Sequence, residues 1–430
     1  MKMKLFLYAA GFATVVSVAH TAYGEVPRIL AISEIENSAR EYSPRLKSLI
    51  SEQKAARERA AAQKTQFYPK LFLDGSYKYN SNVPQIELPL AGFKPIQFGD
   101  NANYSIGPAA SWTLWDAGVM GNAYRSAYTA AEAKNDEVET VRRKVILEAR
   151  ESYFQATLAG EQVKLYTDAL KLAQAQYDDI KINVQAGTKN LVDELQSHQE
   201  VLTRMRQLRQ SKADTVSALV DLSAVTGKDY HEAEFESMDN MLLRFEPFIT
   251  LKLNKNHPSL AAYTKIAEST EYLRRASEAA RWPKLMLSAK SSLDYPNGMK
   301  LESCNQNAVG ATVNWTLFES GASRNRIKEN EDIKAARLNS GEQALADISR
   351  QWDKNMEQVR SLEDQRQLNE ISVAETDRLA QIIYKTYKTG SISFLEVENA
   401  NFKALEAKIQ SARTKVQILM SLAILADMAE

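Results

Sequence analysis

The stretch SWTLWDAG, Ser111 to Gly118, alternates polar and apolar side chains up to Leu114 and breaks on Asp-Ala-Gly, as a strand does where the chain leaves a sheet. NWTLFESG, Asn314 to Gly321, says nearly the same thing 203 residues later. A chain that builds one exit twice is built of two halves, and the remaining punctuation aligns on that pair.

Upstream, SPRL (Ser43 to Leu46) is followed by YPKL (Tyr68 to Leu71), and HPSL (His257 to Leu260) by WPKL (Trp282 to Leu285), the two prolines lying 25 residues apart each time. The segments between them are rich in alanine, glutamate and arginine and predict helices that the second proline stops. Beyond that proline the period becomes two. Leu71, Leu73, Tyr77 and Tyr79 oppose Lys70, Asp74, Ser76 and Lys78; Tyr104, Ile106, Ala110, Trp112 and Leu114 oppose Asn103, Ser105, Ser111 and Thr113. In the second half Leu285, Leu287, Leu293 and Tyr295, then Val309, Ala311, Val313, Trp315 and Leu317, repeat the pattern. The expected strands are about 70–81, 103–115, 284–295 and 307–318. One apolar and one wet face over roughly ten residues matches outer-membrane barrel strands, and also a soluble sheet with one face on a core. The remainder of the chain reads as helix, so no partner layer for a soluble sheet is in view. Tyr77, Tyr79, Trp112, Trp115 and Trp315 fit an aromatic girdle at a membrane interface.

After each exit the apolar positions step by three and four, through Val359, Leu362, Val373, Ala380, Ile383 and Tyr387 in the second half and Val163, Tyr166, Leu170, Ala173, Tyr177, Ile180 and Val184 in the first. This period predicts coiled-coil helices from about Met120 to Gln185 and Ser323 to Thr389, each on the order of 100 Å long. Gly187 and Gly390 stand where a helix would be capped, with Asp193 and Glu396 six residues beyond. Helical pattern resumes after each, so each glycine marks the tip of a helical hairpin.

The organisation predicted is mainly α with a small β part: a signal peptide over 1–24, a first repeat over 25–226, an irregular segment over 227–256 and a second repeat over 257–430. The signal rests on the basic Met1 to Lys4, the apolar Leu5 to Val18 and the small residues of Ala22-Tyr23-Gly24. The single cysteine, Cys304, excludes an internal disulfide and a cysteine-based zinc site. Fifty-four Lys and Arg balance 54 Asp and Glu, which argues against a general attraction to nucleic acid. The four histidines have no metal-ligand spacing, and no phosphate loop or nucleophile elbow is present, so neither metal, cofactor nor enzymatic activity is expected.

The paired P-x-L starts, the W-T-L-(W/F)-x-x-G exits and the two G-x5-(D/E) tips resemble the TolC family of outer-membrane efflux proteins, over essentially the whole mature chain. The resemblance implies a homotrimer whose twelve strands form one outer-membrane β-barrel and whose twelve helices form a periplasmic tunnel. It implies a passive exit duct for efflux or type I secretion, joined to a periplasmic adaptor and driven by an inner-membrane ABC or proton-driven pump. Four strands alone close no barrel and open edges are not tolerated in lipid, so several chains are needed in any case; three give twelve strands, the smallest assembly with an open lumen.

By the same resemblance, Asp193, Tyr387 and Glu396 belong to a periplasmic constriction. Two positions depart from the family pattern: Ile392 stands where an arginine link is expected, and Asn399 where a second acid is. Asp193 and Glu396 also suit a plainer role as acids in helix N-terminal turns. Gly187, Thr188, Gly390 and Ser391 resemble the surface that meets an adaptor's hairpins, although the glycines serve the turn in either case. The alternative from another class is a periplasmic or surface coiled-coil scaffold with no pore.

Overall fold

A computed structural model describes residues 29–86, 96–230 and 234–429 of the chain. The expected signal segment lies outside them. Short elements open the chain: β1 (Ile29–Leu30), α1 (Ile32–Tyr42) and α2 (Pro44–Lys64). Then come β2 (Lys70–Tyr79), the small pair β3 (Gln85–Ile86) and β4 (Ile96–Gln97), β5 (Ala102–Trp115), α3 (Val119–Gln185) and α4 (Leu191–Thr226). The second part holds β6 (Glu234–Phe235), α5 (Met238–Phe245), α6 (Pro258–Ala279), β7 (Lys284–Tyr295), β8 (Cys304–Asn314), α7 (Ala322–Lys388) and α8 (Phe394–Ala429).

The long helices α3 and α7 have 67 residues each, and the returning helices α4 and α8 have 36 each. Helices of this length hold together through lateral packing: α3 lies against α4, α6 and α8, and α7 against α6 and α8. Glu271 on α6 pins α7, accepting from Lys334 at 3.2 Å as well as from its neighbours Arg274 and Arg275 at 3.0 Å. These cations, Arg274 foremost, hold its carboxyl down to about 2.

The four long strands form one antiparallel sheet in the order β2-β5-β7-β8. The register puts Leu71, Leu73 and Tyr77 opposite Ala110, Pro108 and Tyr104, and Tyr104 opposite Tyr295, so the apolar side chains share one face. Strand β8 ends at Asn314, four residues short of the expected 318, because its partner β7 begins at Lys284 and the preceding Pro283 has no N–H to extend the ladder. Trp315 to Phe318 therefore lie beyond the strand. Strand β5 runs on to Trp115 through a bulge after Thr113.

Most of the core gathers around the middle of α3, where Tyr153 and Phe154 are fully buried with Leu222 of α4, Met241 of α5, and Ile418, Leu419, Leu422 and Leu425 of α8. The Tyr153 hydroxyl donates to the carbonyl of Leu30 and accepts from the Glu236 N–H at 3.1 Å, joining the two strands of the β1-β6 pair; burial pushes it up to about 12. The segment 227–256, expected to be irregular, contains α5, whose two turns are too short to give a readable period. The last turns of α8 bury Leu422, Ala423, Leu425 and Ala426 together, so this end of the helix is covered on more than one side.

Candidate functional site at the hairpin tips

Each hairpin tip is built by one residue that only glycine fills without strain. Gly187 has φ 75° and Gly390 φ 82°, and the turns close with Gly187 N–H to Val184 O at 2.9 Å and Gly390 N–H to Tyr387 O at 3.0 Å. The side chain of Asn190 then caps α4, accepting from Val192 N–H at 3.1 Å. Gly187, Thr188, Gly390 and Ser391 are all exposed at the apex.

Below the apex the two hairpins are tied together within one chain. The Tyr387 hydroxyl donates to Asp193 Oδ2 at 3.0 Å, and Lys189 Nζ donates to the Tyr387 carbonyl at 2.8 Å while sitting 3.9 Å from the centre of its ring. One turn earlier on α7 the Tyr384 hydroxyl donates to Asp179 Oδ2 at 2.9 Å, and Lys388 Nζ reaches the same oxygen at 2.9 Å. Ile180, Tyr387, Phe394 and Val397 are buried behind these links. Burial and the Asp193 hydrogen bond raise Tyr387 well above the ordinary tyrosine range, and burial with Asp179 does the same to Tyr384.

The structure thus brings Asp193 and Tyr387 together. Glu396 and Asn399 are exposed in the first turns of α8 and take no part in the link. Ile392, at the expected arginine position, packs against the buried cluster instead. The sequence reading missed Lys189, Asp179, Tyr384 and Lys388. The available signal was the spacing of Tyr384 and Tyr387, which puts both rings on one helix face. Farther along α4, Arg204 and Glu200 form a buried ion pair, 3% and 5% exposed, with Arg204 Nε donating at 2.6 Å.

At the other end of the helices the two strand exits share one construction. Trp112 Nε1 donates to Phe67 O at 2.9 Å and Trp315 Nε1 to Arg281 O at 3.0 Å, so each indole ties its strand exit to the segment just before the second proline. Asp116 accepts from Met120 N–H at 2.7 Å and Glu319 from Ser323 N–H at 2.9 Å, each capping its 67-residue helix. Trp115 and Trp315 are about half exposed and Tyr77 and Tyr79 more so, at the opposite end of the sheet from the tryptophans. Among the described residues no helix is long and apolar enough to cross a membrane, and no cluster of His, Cys, Asp and Glu is arranged to hold a metal.

An exposed four-stranded sheet on two very long helical hairpins defines a class, that of outer-membrane channel subunits. Residues 36–228 and 251–429 match the family described as Outer membrane efflux protein, and the chain belongs to it. It is 21% identical over 324 residues to the pyoverdine export outer membrane protein OpmQ of Pseudomonas putida, covering 73% of this chain and 67% of that one. The fold is shared with CusC (TM-score 0.77, 15% identity, 93% of this chain and 92% of that). It is also shared with the Campylobacter jejuni CmeC outer membrane channel (0.75, 15%, 99% and 93%) and the open state of Neisseria gonorrhoeae MtrE (0.73, 14%, 93% and 88%). The protein is an outer-membrane exit duct for efflux.

Proposed function

We propose that three copies of this chain assemble into a twelve-stranded barrel in the outer membrane and a twelve-helix tunnel beneath it. The observation that carries this reading is the sheet: among the described residues its edge strands β2 and β8 have no partner on their outer edges, and its outward face is apolar, with Leu71 82% and Val309 88% exposed. Such edges are satisfied in lipid only by pairing β8 of one copy with β2 of the next.

On this reading each chain is two repeats of helix, strand, strand, long helix and returning helix, over 25–226 and 257–430, joined by the segment 227–256. The linked tips form the closed periplasmic end, with Asp193 and Tyr387 holding it shut and the exposed Glu396 of each copy contributing to a ring of acids at the entrance. Asn399 beside it leaves that ring single. Gly187, Thr188, Gly390 and Ser391 dock a periplasmic adaptor, which couples the duct to an ABC or proton-driven inner-membrane pump. Extracted from outer membranes, the protein should migrate as a heat-modifiable trimer and conduct ions in planar bilayers. A soluble monomer or dimer without conductance would overturn the reading in favour of a coiled-coil scaffold.

A further inference from the structure

All the charged residues of the four long strands lie on one face of the sheet. They are Lys70, Asp74 and Lys78 of β2 and Lys284, Lys290 and Asp294 of β7; β5 and β8 carry none. The alternation that points Leu71, Leu73, Leu285 and Leu287 outward points these six inward. Lysines outnumber aspartates four to two on this face.

The two aspartates are already engaged away from the base of the sheet. Asp74 forms an ion pair with Lys290 at 2.7 Å, reaching over the small residues Gly107 and Ala109 that separate them on β5. Asp294 accepts from the Ser105 hydroxyl at 2.7 Å near the far end. At the base, Lys70 and Lys284 each follow a strand-starting proline and are exposed, and among the described residues neither has a carboxylate partner. Both border one cavity of about 430 Å³ on the inner face, where the strands meet the helices, with Ser111, Thr113 and Asn314 around it. The N-terminus of α3, at Val119 and Met120, faces the same cavity, and the one acid there, Asp116, is occupied by the backbone N–H groups of Gly118 and Met120.

We propose that Lys70 and Lys284 form a basic collar at the base of the barrel lumen that favours oxyanion-bearing cargo, carrying carboxylate or phosphate groups. This rests on the barrel reading above. In three copies the collar holds six ammonium groups around a confined aqueous path, where like charges focus the potential and raise the local concentration of anions. The acids at the tips act at the opposite end of the tunnel, so the duct offers cargo first an acidic mouth and then a basic exit.

The test is the reversal potential of the full-length protein in planar bilayers under a potassium chloride gradient. The double substitution Lys70→Gln with Lys284→Gln should lower the chloride-to-potassium permeability ratio by about threefold or more, and Lys70→Arg with Lys284→Arg should keep it. A second readout needs no variant: inorganic pyrophosphate added on the barrel side should reduce the wild-type current more than spermidine at equal concentration. A wild-type channel that conducts with a ratio unmoved by the glutamine pair, or with pyrophosphate no better than spermidine, overturns the collar and leaves the duct standing. A wild-type protein that never conducts overturns the duct and the collar together.

Discussion

The hydroxyl of Tyr387 on α7 and the carboxylate of Asp193 on α4 meet at 3.0 Å, although 194 residues separate them, and this contact fastens the two hairpins of one chain at their tips. A duct closed by such a contact opens when the hydroxyl is removed and the ring is kept. Tyr387→Phe retains the buried ring and its contacts with Phe394 and Lys189 and loses only the bond to Asp193. The local cost is about 1 to 2 kcal/mol, enough to shift a closed tip toward open by roughly tenfold. Single-channel conductance in bilayers should rise several-fold with no change in trimer yield; unchanged conductance would show that the link does not govern closure.

The link has a defined pH window. Asp179 is held below its ordinary value first by the Lys388 hydrogen bond and then by Tyr384, against the opposing effect of partial burial. A depressed carboxyl stabilises the fold above 3.8 and loses that contribution as pH falls through the folded value. Tyr387 and Tyr384 are raised from 10.0, so their contribution is complete below 10.0 and is lost as pH climbs through the folded values. Closure should therefore be flat between about pH 5 and 9, weakening in strong acid as Asp179 is protonated and again well into the alkaline range as the tyrosines ionise. A conductance titration with a step near pH 7 would contradict this assignment.

The tip glycines separate folding from docking. A Cβ added at Gly187 or Gly390 meets nothing within 4 Å, so the only cost of substitution is the positive φ. Asparagine accepts that conformation better than other side chains, and Gly187→Asn with Gly390→Asn should cost about 1 kcal/mol or less at each tip. Trimer yield and conductance should stay near wild type while export in cells is lost. Normal export would remove the tips from the adaptor surface.

The buried pair on α4 makes a stability prediction. Glu200→Gln removes the direct countercharge of Arg204, 3% exposed, and leaves Glu398 of α8 as the nearest remaining acid, so it should cost about 1 to 3 kcal/mol, whereas replacing both residues with leucine should cost less. Comparing the denaturation midpoints of the two variants tests this; equal losses would mean that the pair matters by shape alone.

At the strand exit, Trp112→Glu places a charge on the outward face of β5 and removes the bond to Phe67 O. Trimer in the outer-membrane fraction should fall severely while far-UV circular dichroism stays close to wild type, because the helices do not depend on that bond. A parallel loss of helix signal would place the damage in folding rather than insertion.

What the sequence showed and hid follows from the range of the interactions. Period two in β2, β5 and β7, and the three-four stepping of α3 and α7, are local signals that set the element ends to within a residue or two at most of their boundaries. Gly187 and Gly390 were legible because a positive φ is written in one residue. The end of β8 was misplaced because it depends on Pro283, which lies in the neighbouring strand's approach rather than in β8 itself. The Tyr384 to Asp179 bond spans 205 residues and leaves no local trace. Asp193 and Tyr387 were picked out by family resemblance, and that they meet each other was visible only once α4 and α7 were placed.

The pairing of β5 with β7 sets Ile106 beside Leu293 and Ser105 beside Asp294, across nearly half of the chain. Loop closure over such a span is slow compared with helix formation and with the local pairing of β2 with β5 and of β7 with β8. The junction of β5 with β7, which joins the two strand pairs into one sheet, is therefore the last part of each chain to form, after the hairpins have zipped along their local contacts. Synthesis of the first half alone yields a strand pair with nothing to join, so the membrane receives this protein only as a finished sequence.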